Sequence, residues 1–279
     1  MARMSAPLPA PVRLFQIAYS PPTLASLQPG FEPLDNLANP RPDWYEFDPI
    51  RRFLLTQALD EASFYGFFSP KFTAKTGWHA GDVRALAQGR GATADVLLFS
   101  PHPNQGAFFV NVFEQGEFFH PGLLAAARAW LADAGIAHDP ATLLMDARHT
   151  VFCNFFVARP MFWRAWLALG QTLWDACESP DSGLAPLLTA STSYTGGAQM
   201  KIFLMERMAS LLLALQPGWK SLAADPYIHG RWPSPALAAD PTDAVVSCAL
   251  KHALRDTGWL EYRAAFGQIR QRVLQGAAA

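Results

Sequence analysis

Two periodicities divide this chain into elements, and the points where one gives way to the other mark their ends. Arg13 to Tyr19 reads as a first strand, stopped by Ser20-Pro21-Pro22. A polar loop over 33–48 then leads to Asp48-Pro49. This pair signals a helix start, because Asp accepts orphan amide hydrogens and proline suits the first helical position. Ile50, Phe53, Leu54 and Ala58 follow at the spacing of one apolar helix face. Phe64 to Phe68 is a short aromatic run bounded by Glu61 and Pro70, the pattern of a strand buried on both faces. Gly66 inside it predicts another backbone or a ligand passing close.

The alternation continues downstream. A short helix is expected within Thr76 to Gly91, opening near Gly81-Asp82, and a strand over Ala94 to Phe99. Its rim, Ser100-Pro101-His102-Pro103-Asn104, repeats the order of Ser69-Pro70-Lys71 after the earlier strand, so the two rims are expected to be lips of one crevice. Helices are expected over Phe108 to Phe113 and Pro121 to Ala134. The second turns Leu123, Leu124, Ala127, Trp130 and Leu131 inward and stops at Gly135. A strand is expected over Val151 to Val157, and a long helix over Pro160 to Cys177 with Phe162, Trp166, Leu173 and Trp174 inside. Ser191 to Gly197 reads as a loop feeding a helix from about 198 to 215. A Pro-rich connector over 226–241 precedes helical sequence from Thr242 to Leu274 with a break at Gly258.

Strands separated by helical stretches predict one α/β domain over 1–279, a mostly parallel sheet flanked by helices. The N-terminal residues 1–11 are expected to be loosely held, and 226–279 to form a helical C-terminal extension. In open α/β sheets ligands sit outside the carboxyl ends of the strands, which directs attention to the loop 33–48 and to Ser69-Pro70-Lys71.

Composition narrows the classes. Half of the 279 residues are hydrophobic, which excludes a disordered chain, and a formal charge of −1 leaves no basic footprint for nucleic acid. Three cysteines argue against a disulfide framework and for a reducing compartment. The opening MARMSAPLPAPVRL lacks the apolar core of a signal peptide, and Met208 to Leu215 is far too short to span a bilayer. The expectation is a protein without a transmembrane segment, cytoplasmic or peripheral to the inner membrane. The sequence has no P-loop, no G-x-G-x-x-G and no G-x-S-x-G, and its seven histidines are scattered. Cys248 and His252 stand four apart with no further ligand near and read as core and surface.

Three blocks carry a resemblance. Asp35, Asn36 and Asn39 before the helix, with Tyr65-Gly66-Phe67-Phe68-Ser69-Pro70-Lys71-Phe72 after it, form the first. Cys153-Asn154-Phe155-Phe156-Val157-Ala158 with Phe162-Trp163 form the second, and Phe203-Leu204-Met205-Glu206-Arg207 the third. Together they resemble bacterial glycosyltransferases of the GT-A type acting in capsule and lipopolysaccharide synthesis. The chain departs from that pattern in two ways: Ser69-Pro70-Lys71 stands where a His-Tyr-Arg-Arg run would be, and there is no D-x-D triplet.

The resemblance implies a nucleotide-sugar donor, a glycan or glycolipid acceptor, and a divalent metal (Mn²⁺ or Mg²⁺) for which the usual triplet is missing. Asp35, Asn36 and Asn39 would contact the nucleotide or its sugar, or else simply make turns. Ser69 and Lys71 fall at the basic strand end; Lys71 can neutralise the departing diphosphate in place of a metal, or be a solvated lysine. Gly196 and Gly197, after Thr195, can present backbone amides to a phosphate or form a plain loop. Glu206, in an apolar helical setting, either pairs with an arginine or carries a raised pKa suited to a general base. Asp146 and His149 are alternative bases, and His149 and Asn154 are candidates for holding a sugar hydroxyl. A second class of function stays open beside transfer: a non-catalytic glycan-binding or assembly protein that keeps the fold.

Overall fold

The computed structural model describes residues 10–194, 196–228 and 240–277. Its sheet has six strands: β1 (Val12–Ala18), β2 (Glu32–Asp35), β3 (Phe64–Phe68), β4 (Val96–Leu98), β5 (Phe156–Ala158) and β6 (Ser221–Ala223). They lie in the order β2-β1-β3-β5-β4-β6. β1 runs parallel to β2 and β3, and β4 parallel to β6. β5 alone runs against its neighbours β3 and β4. The fold is therefore α/β, with a mixed, mostly parallel sheet and helices at the C-terminal end, as the alternation of strand and helix patterns predicts.

Period-2 alternation sorts the strand residues between two cores. Phe15, Ile17, Tyr65, Phe67, Val96 and Phe156 join a large cluster with the helices Phe47–Thr56, Leu123–Asp133, Pro160–Glu178 and Met208–Leu215. Leu14, Phe64, Phe68, Leu97, Phe155 and Val157 join a smaller one with the helix Ala80–Gln88. All five residues of β3 are buried, which is why its apolar run shows no alternation. Each large apolar side chain sealed in this way contributes about 2 kcal/mol. Trp163, fully buried, also donates its ring N–H to the Tyr65 carbonyl at 3.0 Å, tying the long helix to β3.

Several elements differ from their sequence patterns, each for a local reason. The loop 33–48 contains the end of β2. The helix after it begins at Phe47 with Glu46 at its N-cap, and Asp48, expected to cap it, instead accepts from Arg52 Nε at 2.9 Å one turn on. That helix ends at Thr56, so Ala58 lies beyond it and is exposed. The short helix expected within 76–91 is Ala80–Gln88, closed by Gly89 as expected, and a further short helix, Phe72–Thr76, precedes it. The helix expected over 108–113 is replaced by Pro103–Ala107 and Val112–Phe119, because Asn111 caps the second by accepting from the Phe113 and Glu114 amides.

The strand expected over 151–157 shrinks to β5, since Cys153 (φ 58°) and Asn154 (φ 52°) are left-handed and cannot be extended. The helix expected over 198–215 breaks between Met200–Met205 and Met208–Leu215, leaving Glu206 and Arg207 at the break. At Gly66 a Cβ would lie 2.7 Å from Phe68 Cε2 and 2.8 Å from Val157 Cγ2, so the close neighbours are side chains of the sheet. The C-terminal helices Pro241–Thr257 and Leu260–Ala277 turn at Gly258 (φ 73°) as expected. The segment 1–11 and the connector 226–241 fall largely outside the described residues.

A buried lysine helps to fasten the C-terminal helices to the body. Lys251 Nζ donates to the carbonyls of Gly106 at 2.5 Å, Phe109 at 2.9 Å and Met145 at 2.9 Å. Arg148 reaches Asp256 at 2.8 Å beside it.

Candidate functional site

A cavity of about 600 Å³ opens at the carboxyl edge of the sheet. Because strands β1 to β4 run the same way, the chain leaving each of them emerges at that edge, and β5, running backwards, brings the chain that enters it. Tyr19 follows β1; Asn36 and Asn39 follow β2; Ser69, Pro70 and Lys71 follow β3; His102 and Gln105 follow β4; Cys153 leads into β5. Helical segments close the opposite wall with Gln115, His120, Phe203, Glu206 and Arg207, and Tyr194 stands at the mouth.

Two carboxylates face this space. The Glu46 carboxyl is pushed up to about 7, first by burial and then by the charge of Glu206, against the pull of Asn154 and Lys75. Burial also raises Glu206, with Arg207 and Lys75 acting the other way. Lys75, one helical turn beyond Lys71, donates from Nζ to Cys153 Sγ at 3.1 Å. The Cys153 thiol is pushed up to about 12 by burial and by Glu206, so it is not a thiolate nucleophile.

The helical wall is fixed by Arg207, which is buried and donates to the Val112 carbonyl at 2.7 Å, the Phe203 carbonyl at 2.6 Å and Gln115 Oε1 at 2.6 Å. Gln115 in turn donates to Gln105 at 2.8 Å, joining the two walls. Burial, with Arg207 nearby, brings the His120 ring down to about 4, so it is neutral and stacks on Phe203 at 3.7 Å between centroids.

The residues singled out in the sequence divide into three groups. Asn36, Asn39, Ser69, Lys71 and Glu206 all line the cavity. Asn36 is held rigidly there: its Oδ1 accepts from Arg52 at 2.5 Å and its Nδ2 donates to Asn39 at 3.1 Å. Asn154 is buried behind the lining, donating to Met205 Sδ at 2.9 Å and to Glu46 Oε1 at 3.5 Å. Asp35 is exposed just outside and makes an Asx turn, accepting from the Leu37 amide at 2.9 Å.

Gly196 and Gly197 are exposed in the loop beside Tyr194, with Thr195 outside the described residues. Asp146 and His149 are not in the lining. Asp146 is fully buried, and although burial opposes its ionisation, His149 Nδ1 at 2.9 Å and Arg148 at 2.5 Å hold its carboxyl well below the usual range. This pair orders the turn before β5.

Glu46, Lys75 and Arg207 were not among the sequence candidates. Lys75 was within reach of pattern reasoning, standing at i+4 from Lys71 on the same helical face. Among the described residues no three His, Cys, Asp or Glu side chains stand together to hold a metal ion. No protein-family model, curated protein or solved structure matches the chain.

Proposed function

We propose that this chain is a glycosyltransferase, with a GT-A-like core, that moves a sugar from a nucleotide-diphosphate donor to a hydroxyl of a glycan or glycolipid. One observation carries the reading: a single cavity at the carboxyl edge of the sheet is lined by two lysines, Lys71 and Lys75, and two carboxylates, Glu46 and Glu206. Transfer leaves negative charge on the departing diphosphate, and Lys71 and Lys75 supply positive charge where it develops. The faces of Tyr45 and Tyr194 offer stacking surfaces at the mouth, and Asn36, Asn39 and Gln105 offer amide groups for hydroxyls. One of the cavity glutamates takes the proton of the acceptor hydroxyl. Neutralisation by lysines accords with the missing D-x-D triplet, and no step here passes through a metal.

The test is thermal stabilisation by UDP-, GDP- and dTDP-sugars, each with and without Mn²⁺. Binding of a nucleotide diphosphate raises Tm in proportion to its saturation of the folded state. Silence across the panel sinks the transferase reading and favours the glycan-binding relative. Donor hydrolysis that disappears in Lys71→Ala, while the Tm of the free protein is kept, ties the activity to this cavity.

A further inference from the structure

Strained backbone gathers at the cavity. Among the described residues, five that are not glycine have positive φ: Asn39 (37°), Tyr45 (48°), His102 (59°), Cys153 (58°) and Asn154 (52°). Four of them line the cavity, and the fifth, Asn154, lies behind the lining against Glu46. Asparagine and histidine tolerate such angles, whereas a bulky tyrosine is crowded by its own backbone there. Tyr45 has ψ −125°, which also takes it outside the left-handed helical region. Its angles and those of Glu46 (φ −72°, ψ −19°) are those of the two central residues of a type II′ turn, whose first central place is ordinarily glycine.

The ends of this turn are fixed in the core. Trp44 and Phe47 are fully buried with ring centroids 5.1 Å apart, and the Trp44 ring N–H donates to Glu178 at 2.8 Å. Tyr45 and Glu46 bridge the two anchors, and both reach the cavity lining. Glycine would make the same turn with less strain. What tyrosine adds is a ring and a hydroxyl, and the fold uses neither. Tyr45 is 46% exposed, and among the described residues its hydroxyl has no hydrogen-bond partner and its ring no aromatic or cationic neighbour. Nothing inside the chain offsets the strain, so the ring's contribution comes from a molecule in the cavity.

We propose that Tyr45 is a ligand-binding residue, held at a glycine position so that its ring stacks on the flat face of a substrate ring, a nucleobase or a pyranose. The nucleobase form of this statement rests on the transferase reading; the pyranose form serves a glycan-binding protein equally. The strained turn keeps the platform in place before the ligand arrives, so little freedom is lost on binding. Stability of the free protein is given up for affinity at this one residue.

Three variants of the full chain, Tyr45→Phe, Tyr45→Ala and Tyr45→Gly, test this. The first measurement needs no ligand. At an ordinary position glycine is less stable than alanine, and at a strained positive φ the order reverses. Free Tyr45→Gly should therefore melt about 2–4 °C above Tyr45→Ala. The second is titration calorimetry with UDP, GDP and dTDP, their sugar conjugates, and maltotetraose and chitotetraose. Tyr45→Phe should bind like the wild type, while Tyr45→Ala and Tyr45→Gly lose roughly tenfold or more in affinity. A loss shared by a nucleoside diphosphate and its sugar conjugate puts the nucleobase on the ring. A loss confined to the conjugate or to an oligosaccharide puts a pyranose there. Tyr45→Gly melting below Tyr45→Ala overturns the proposal. So does unchanged affinity in Tyr45→Ala for every ligand the wild type binds, and bound nucleotides then leave the transferase reading standing. Silent nucleotides beside an oligosaccharide whose binding needs Tyr45 overturn the transferase reading and uphold the proposal. A wild type that binds nothing in the panel overturns both.

Discussion

Lys71 and Lys75 occupy neighbouring turns of one short helix, and only the first looked functional in the sequence. Lys71 was conspicuous at a strand end. Lys75 was hidden because its chemistry depends on the backward strand β5, which brings Cys153 beneath it. Each lysine is expected to contribute a charge-assisted contact of about 1.5–3 kcal/mol to a diphosphate. Lys75→Ala should therefore weaken nucleotide-diphosphate binding at least tenfold by titration calorimetry, with a larger loss at low salt. Glu46 was hidden for a different reason. Asp48-Pro49 has every mark of a helix start, yet Asp48 turns inward to Arg52, the cap falls on Glu46, and Glu46 faces the cavity. Gly66 was read correctly as a site of close approach but with the wrong neighbour. Gly66→Ala should cost about 1–3 kcal/mol in urea unfolding, by overpacking against Phe68 and Val157.

At the level of elements, patterns set by burial translated directly and those set by local side-chain hydrogen bonds did not. The helix Pro160–Glu178 and strand β3 match their patterns because burial alone dictates them. The stretch Val151 to Val157 reads as one strand, yet only its end joins β5 and the residues before it form turns. Asp146 gathers Arg148 and His149 there, and two left-handed residues follow. Such side-chain-directed backbone leaves little periodic signal. Asp146→Asn should destabilise the protein by about 1–3 kcal/mol while leaving nucleotide binding intact, as read by urea unfolding and thermal shift. Its pH signature has a definite sign. A carboxyl held below its unfolded value stabilises the fold above that value, and the contribution is lost as pH falls through it.

For the molecule as a whole the two acidic centres pull in opposite directions. Asp146 withdraws stability on acidification. Glu46, whose folded value is raised from 4.5 to about 7, withdraws it as pH rises across that interval. The contribution of Glu46 is read from the Tm difference between wild type and Glu46→Gln, which is expected to move in favour of the variant as pH rises from 4.5 to about 7. The architecture was legible from strand and helix patterns. The cavity was legible only as a location, because its walls join segments more than a hundred residues apart.

Lys251 extends that dependence along the time axis of synthesis. Its ammonium holds the carbonyls of Gly106 and Phe109, which lie between His102 and Gln115 of the cavity wall. A nascent chain acquires every strand of the sheet before this lysine emerges from the ribosome. The pocket's wall thus gains its last clamp only late in translation, and full binding competence should arrive with it rather than growing with chain length.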